Sequence, residues 1–223
     1  MLKKGFVVLM LSFFPLAYAA DLKENCREKI IYEIMPAGRA EFLDFGAVES
    51  GGRTLALVTF RTEVLGFDDL EKIYYDHRTD LPLRVERDIS WFGKENLVEE
   101  YFPERSLLIT RKFKGGKKVK EYVFQEDGPI HNAILLPFSL RKAPDLAPGW
   151  TMDIRLPDKF KVTLVSLEEV EVPAGKFLAY HFTSAPPKFE IWIANDGPRA
   201  PVKIKGLGGL GYTMVMRERI CRE

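Results

Sequence analysis

One stretch of the sequence has glycines at the spacing of a dinucleotide-binding turn. Gly206, Gly208 and Gly211 match the pattern G-x-G-x-x-G, in which glycines let the backbone approach a pyrophosphate. That site requires a strand before the motif, a helix after it and an acidic residue about twenty positions further on. Only twelve residues follow Gly211, and Tyr212–Arg219 alternates like a strand. We therefore expect a flexible glycine-rich turn here, and no cofactor.

The three histidines, His77, His131 and His181, lack the spacing of metal-ligand pairs, since none is followed by His, Cys or a carboxylate two or four residues later. His131 is most simply a polar residue at a helix start, and a ligand contact beside Asn132 is the alternative. Neither a nucleophile-elbow pattern nor a zinc-protease pattern occurs. The sequence thus predicts no metal site and no catalytic residue, and favours a non-enzymatic protein.

A tryptophan is the strongest candidate for contact with a sugar. In Lys188–Ala194, Trp192 alternates with Glu190 and Ala194 on one strand face. An indole facing a concave surface beside polar neighbours suits sugar stacking, whereas such a tryptophan is more often part of the core or its rim. The candidate ligand-binding residues are therefore Trp192, His131 and Asn132.

A basic run, Arg111–Lys120, places six cations in ten residues about the glycine pair Gly115-Gly116. One interpretation is an anion-binding finger for lipopolysaccharide or an acidic glycan. The favoured interpretation is a hairpin tip whose lysines prevent edge-to-edge pairing with other sheets.

Residues 1–19 have the organisation of a cleavable export signal. Lys3 and Lys4 precede the apolar segment Gly5–Leu16, and an A-x-A site ends at Ala19. The apolar run is too short to span a bilayer, so we expect a periplasmic protein that is not integral to the membrane. Without the two signal lysines, the 33 basic and 32 acidic residues nearly balance, which gives no electrostatic case for nucleic acid binding.

Two cysteines, Cys26 and Cys221, lie near the two ends of the mature chain. Lipidation of Cys26 is not expected, because charged and polar residues precede it, and no metal ligands flank either cysteine. An oxidising compartment favours a disulfide over two free thiols. The bridge would close a loop of about 196 residues, with an upper contribution of roughly 5 kcal/mol, and would bring the first and last strands close together.

Short strands separated by turn signals recur throughout residues 20–223, which we interpret as one domain. Only Ile130–Arg141 has apolar residues at helical spacing, and Pro137 is expected to kink or end that helix. The pattern predicts a mostly β fold. It is a single antiparallel, strongly curved sheet or open β-barrel of about twelve strands, with one short central helix.

The helix has to bury its apolar face, and the only large apolar surface available is the inner face of the sheet. We expect Ile134 and Phe138 to be buried there, with His131, Asn132 and Arg141 toward the polar margin. The alternative is a helix that acts as a mobile lid over a ligand site.

Three stretches, Ile73–Arg84, Val172–Phe177 and Ile191–Val202, resemble in order and spacing the exported bacterial family catalogued as domain of unknown function 3108. The likeness covers nearly the whole mature chain and includes the helix ending in Leu140-Arg141. It implies a periplasmic, barrel-like fold and carries no established catalytic residues. Pro137 departs from the smooth helix that the resemblance implies.

Export, a concave sheet and the missing catalytic signature favour a periplasmic protein that binds an envelope component on the concave side of its sheet. The expected ligand is a glycan fragment or an acyl chain. The alternative is a structural or accessory protein of an envelope assembly, whose partner is an envelope protein and whose barrel is filled by its own helix. An open, lined pocket would favour binding, and a packed interior would favour the accessory role.

We predict that Cys26 and Cys221 form a structural disulfide. Cys26→Ala should lower the unfolding midpoint by several degrees, because the unfolded chain loses a covalent constraint worth a few kcal/mol in a domain of about 200 residues. Thiol titration of denatured, unreduced protein should detect no free sulfhydryl. Two titratable thiols would contradict the prediction.

Overall fold

The computed structural model describes residues 27–207 and 211–222. The predicted signal at residues 1–19, Cys26, and residues 208–210 of the glycine motif lie outside the described residues. The described chain forms strands, a 3-10 turn at Pro103–Arg105 and one α-helix, α1, at Leu136–Leu140. The strands are β1 Arg27–Met35, β2 Arg39–Ser50, β3 Arg53–Val64, β4 Phe67–Asp76, β5 Leu81–Ser90, β6 Lys94–Phe102, β7 Leu107–Lys114, β8 Lys117–Gln125, β9 Thr151–Leu156, β10 Asp158–Val172, β11 Gly175–Ala185, β12 Phe189–Ala194, β13 Pro201–Gly206 and β14 Tyr212–Arg222.

All of these strands belong to one 14-stranded antiparallel sheet in the order β8-β7-β6-β5-β4-β3-β2-β1-β14-β13-β12-β11-β10-β9. The sheet has two arms, β1–β8 and β9–β14, which meet where β1 pairs with β14. Arg27 lies opposite Arg222, and Met35 lies opposite Thr213. The predicted fold class and the predicted closeness of the first and last strands are confirmed, with fourteen strands in place of about twelve.

Alternation of apolar residues decides which side of each strand faces the interior. In β1, Glu28, Ile30, Tyr32 and Ile34 are buried, while the residues between them are partly exposed. Because side chains alternate across a strand, this pattern assigns one face of β1 to the core. We call this the inner face of the sheet.

The connection between β8 and β9 supplies the other side of the core. Leu135 and Phe138 belong to a buried cluster with members from both arms, and Leu136 and Leu140 belong to a second cluster formed with β9–β12. The ring of Phe138 stacks on Phe42 at 3.9 Å between centroids and an interplanar angle of 14°. The helix is therefore enclosed by both arms, as expected for a central helix.

The helix is shorter than the predicted span Ile130–Arg141. His131 N donates to the carbonyl of Arg155 at 2.8 Å, so this part of the segment is bonded to β9 in place of a helical turn. Pro137 lies in the first turn of α1, where its missing N–H leaves no helical bond unmade. The expectation that Pro137 ends the helix is wrong, because it lies near the beginning. Within the described residues, no helix is long and apolar enough to cross a membrane.

The predicted placement of the segment is partly confirmed. Phe138 is 8% exposed and buried as expected, whereas Ile134 is only partly buried against the core. Asn132, expected at the polar margin, is buried at 8% exposure. Arg141 points inward to a buried carboxylate, and His131 is half-buried.

That buried carboxylate is Glu28, which is 3% exposed and ties three elements together. Arg141 Nη1 donates to Glu28 Oε2 at 2.6 Å, and Arg219 of β14 donates to Glu28 Oε1. A buried charge with two cationic partners is tolerated, while removing one partner from such a group is strongly destabilising. The end of α1 is thus fixed to the central strand pair.

Cys221 lies in β14 opposite Glu28 and is not a free cysteine. Its predicted partner, Cys26, lies outside the described residues, so the disulfide stays a prediction.

We predict that Phe138→Ala destabilises the protein by roughly 3–5 kcal/mol, because the change leaves a cavity against Phe42 inside the core. Phe45→Ala is a matched control, since Phe45 is 38% exposed and should matter far less. Chemical denaturation of both variants measures the difference. A midpoint for Phe138→Ala within about a degree of wild type would contradict the core role and favour the lid.

Candidate functional site

An apolar cavity of about 290 Å³ lies between the helix segment and the inner face of the second arm. Ala133, Leu136 and Pro137 form one wall. The opposite wall and the rim consist of Leu156, Lys188, Phe189, Ile191, Ile204, Gly206 and Tyr212. Exposed Ala133, Lys188 and Tyr212 mark its mouth. This volume is at the lower end of the range for small-molecule pockets.

A glycine and a tyrosine shape one side of this cavity. Gly206 and Tyr212 are opposite each other in the β13–β14 pair. A Cβ atom at Gly206 would overlap the ring of Tyr212, so the close packing of ring on backbone requires glycine. Although Tyr212 is 45% exposed, partial desolvation of its phenol raises the pKa of this side chain.

The strands on either side of the glycine motif show what kind of connection it forms. Gly206 ends β13, and Gly211 directly precedes β14, which runs antiparallel to β13. The motif therefore joins two strands of a hairpin, without the helix that a dinucleotide site requires.

His131 and Asn132 help to hold the helix segment in position. Asn132 Oδ1 accepts hydrogen bonds from the backbone N–H groups of Ile134 and Leu135 at 2.9 and 3.2 Å. His131 Nδ1 accepts from the N–H of Arg155 at 3.4 Å. Burial lowers the pKa of His131, which keeps the ring neutral and able to accept this bond. Both side chains thus have structural partners.

Trp192 lies on the other face of β12 from the cavity. Ile191 lines the cavity, and side chains alternate along the strand, so Trp192 points away from α1. It is 5% exposed, its ring stacks on His181 at 4.2 Å, and Lys203 Nζ lies 4.4 Å from the ring centre. Trp192 Nε1 donates to Glu168 Oε1 at 2.8 Å. An indole occupied in this way has little surface left for a sugar.

The predicted site residues are therefore not brought together. Between residues 27–207 and 211–222, no hydrogen bond, ion pair or ring contact joins Trp192 to His131 or Asn132. The predicted polar surroundings of Trp192 are present, but on the outer face. Its contact with a ligand stays a prediction.

The basic run Arg111–Lys120 forms the β7–β8 hairpin, and much of its charge is paired. Arg111 Nε donates to Glu121 Oε2 at 2.7 Å, and Lys112 Nζ lies 2.5 Å from Glu95 Oε2. Lys118 Nζ is 3.2 Å from Glu121 Oε2. The first two pairs join neighbouring strands and the third lies within β8, and all three agree with the favoured hairpin interpretation.

A second inner-face cluster consists of charged residues that no sequence motif marks. Arg87 of β5 is ion-paired with Asp69 of β4, and its Nε lies 3.6 Å from Glu71 Oε1. On β6, Tyr101 donates to Glu99 Oε2 at 2.7 Å. Asp69 and Glu71 lie four and two positions before the buried Ile73 and therefore share its strand face. This spacing was the only sequence signal that they face inward.

Burial raises the pKa of Glu71 to about 7, although the positive charge of Arg87 acts in the opposite direction. Such a carboxyl group could exchange a proton near neutral pH, and ion-pair networks produce the same effect without catalysis. No group of three or more His, Cys, Asp or Glu side chains in the described part of the chain is arranged to hold a metal ion.

Comparison with known proteins gives a likeness in fold. No family model matches the chain, and no curated protein does. One similar solved structure is the β-barrel-like protein of domain of unknown function 1849 from Brucella abortus. The structural alignment covers 89% of this chain and 99% of the Brucella chain. The TM-score is 0.55 and the sequence identity 10%. This supports the barrel-like architecture. The resemblance to domain of unknown function 3108 stays a prediction.

We predict that Glu71→Gln flattens the pH dependence of stability. The folded-state pKa lies above the unfolded value of 4.5, so the unfolded carboxyl loses its proton first, and stability falls as pH rises from about 4.5 to 7. The expected loss is about 3 kcal/mol. Denaturant titrations of wild type and variant between these pH values measure it. An unchanged slope in the variant would contradict the assigned shift.

Proposed function

We propose that this protein is an exported, periplasmic, non-enzymatic protein that binds an acyl chain in the cavity between its helix segment and the second arm. The observation that carries the proposal is the apolar cavity of about 290 Å³ between Leu136, Pro137 and the second arm. The sequence features of residues 1–19 support export. The three stretches that resemble domain of unknown function 3108 support the same compartment.

The chemistry of the walls favours an alkyl chain over a glycan fragment. Leu136, Pro137, Ile191 and Ile204 present carbon surface, and burying apolar surface against them stabilises a complex by about 25 cal/mol per Å². A sugar placed there would lose water from its hydroxyl groups without enough partners to replace it. Lys188 at the mouth supplies a cation that suits an acidic head group.

An accessory role in an envelope assembly is the second candidate, and one observation favours it. The central part of the barrel is filled by the protein's own residues, with Phe138 stacked on Phe42 and Leu140 fully buried. In this case the remaining cavity would be a packing gap beside a self-filled interior. The same binding experiment separates the two functions.

We predict that the purified protein binds a dansyl-labelled undecanoic acid, detected as an increase in dansyl fluorescence. Ala133→Phe should weaken binding by roughly tenfold or more, because the phenyl group occupies part of the cavity. Ala147→Phe is the matched control. It places the same group on an exposed alanine of the same connection, outside the cavity lining, and should bind like wild type.

Two outcomes would count against acyl binding. Wild-type protein that leaves the probe in solution would favour the accessory role. Equal affinity in wild type and Ala133→Phe would show that the probe binds elsewhere. Unfolding midpoints of both variants establish that each is folded.

A further inference from the structure

Among the described residues, the large apolar side chains exposed in turns all lie at one end of the sheet. In an antiparallel meander, consecutive hairpins turn alternately at the two ends, so the β1–β2, β3–β4 and β5–β6 turns share an end. There Leu65 is 82% exposed, Trp91 61% and Phe92 90%, and Met35 is also exposed. Trp91 contacts Phe92 and Phe67 with ring centroids at 4.9 and 5.8 Å, which holds the aromatic group together.

The turns at the opposite end differ in composition. They comprise residues 51–52, 77–80, 103–106, 173–174 and 195–200, and none of these is a large apolar residue exposed to solvent. Both ends belong to one sheet and are built from hairpins. Forming these turns therefore does not by itself explain why exposed apolar residues occur at only one end.

The backbone at Leu65 strengthens this contrast. Leu65 adopts a φ of 47° and is followed by Gly66 at 85°, a conformation that favours Asn or Gly at both positions. The comparable turns at Gly51-Gly52 and Gly115-Gly116 use glycine pairs with positive φ. A leucine at this position is unfavourable for the backbone and exposes apolar surface to water. The stability of the folded protein therefore does not explain a leucine at position 65.

Most of the charges at this end are positive. In the turns 35–39, 64–67, 90–94, 114–118, 156–158 and 186–188, six of the seven charged residues are cations, and Asp158 is the exception. These cations are Arg39, Lys94, Lys114, Lys117, Lys118 and Lys188. At the opposite end, acidic and basic residues are mixed, as in Asp76–Asp80. The chain as a whole is close to neutral, so this end is locally basic.

We propose that this end is a docking surface for a lipid bilayer with anionic head groups. We define the tip surface as Met35, Leu65, Trp91 and Phe92 together with Lys94, Lys114, Lys117 and Lys118. Aromatic and aliphatic side chains on separate turns enter the interface, while lysines beside them face the phosphates. A bilayer fits small apolar groups projecting from several turns, whereas a protein partner requires a continuous complementary surface of more than about 1,000 Å².

Vesicle flotation tests the proposal with full-length mature protein. Vesicles contain phosphatidylglycerol and phosphatidylcholine in equal parts, or phosphatidylcholine alone. We expect association with the anionic vesicles that decreases as salt is raised, because exposed charges are screened. Trp91 fluorescence should shift to shorter wavelength on binding, since its ring leaves water.

Paired variants separate the apolar contribution from the charged one. Trp91→Ser/Phe92→Ser should reduce vesicle affinity by about tenfold or more. Val165→Ser/Leu178→Ser, which removes two apolar groups that are 44% and 45% exposed elsewhere on the sheet, should not.

Lys114→Gln/Lys117→Gln/Lys118→Gln should reduce the affinity roughly fivefold per lysine and weaken its salt dependence. Arg53→Gln/Arg78→Gln/Lys176→Gln removes three exposed cations at the opposite end and should bind like wild type.

Wild-type protein that fails to float with anionic vesicles would overturn the proposal, as would equal losses in the control variants. A dimer in equilibrium sedimentation that Trp91→Ser/Phe92→Ser abolishes, without vesicle binding, would assign the surface to a second copy of this chain. Ala133→Phe should float like wild type while losing the fatty-acid probe. Failure of the cavity proposal is therefore distinguishable from failure of this one.

Discussion

The antiparallel pairing of β1 with β14 is the constraint on which the rest of the structure depends. It brings the two ends of the described chain together at the centre of the sheet and makes β8 and β9 its opposite edges. Residues 126–150 must then connect one edge to the other, and they do so across the inner face. Where the edges approach, Arg155 donates to Glu126 at 2.9 Å and accepts from His131 N at 2.8 Å. The curved sheet and its central helix follow from one pairing.

Local patterns predicted the strands well and the helix boundaries poorly. The hairpin turns depend on neighbouring residues, whereas the helix boundaries depend on contacts with residues far away in the sequence. Glycine pairs such as Gly51-Gly52 specify a hairpin by themselves. His131 is kept out of the helix by Arg155, 24 positions away, which no local pattern contains. Alternation correctly separated Trp192 from Ile191, but period two does not say which face becomes the interior. Glu71 escaped notice because its partner Arg87 is chosen by strand register.

The two arms build their interiors by different chemistry. In the first arm, Asp69, Glu71 and Arg87 lie together, so each charge depends on its neighbours, and removing one leaves another buried without a partner. In the second arm, residues such as Ile191 and Ile204 face Leu136. An apolar surface leaves no hydrogen bond unmade when its neighbour changes. The second arm can therefore keep an open cavity, whereas a gap among the charges of the first arm would be costly.

The two ends of the barrel are closed to different extents. At the end opposite the tip surface, Arg199 donates to the carbonyls of Arg141 and Ala143 at 3.2 and 3.1 Å, and Lys142 Nζ lies 2.5 Å from Asp80 Oδ1. These contacts tie the residues after α1 to turns of both arms. At the tip end, the cavity mouth lies beside the β11–β12 and β13–β14 turns. An alkyl chain entering there from a docked bilayer would pass from one apolar environment to another, and the cost of exposing it to water would be avoided.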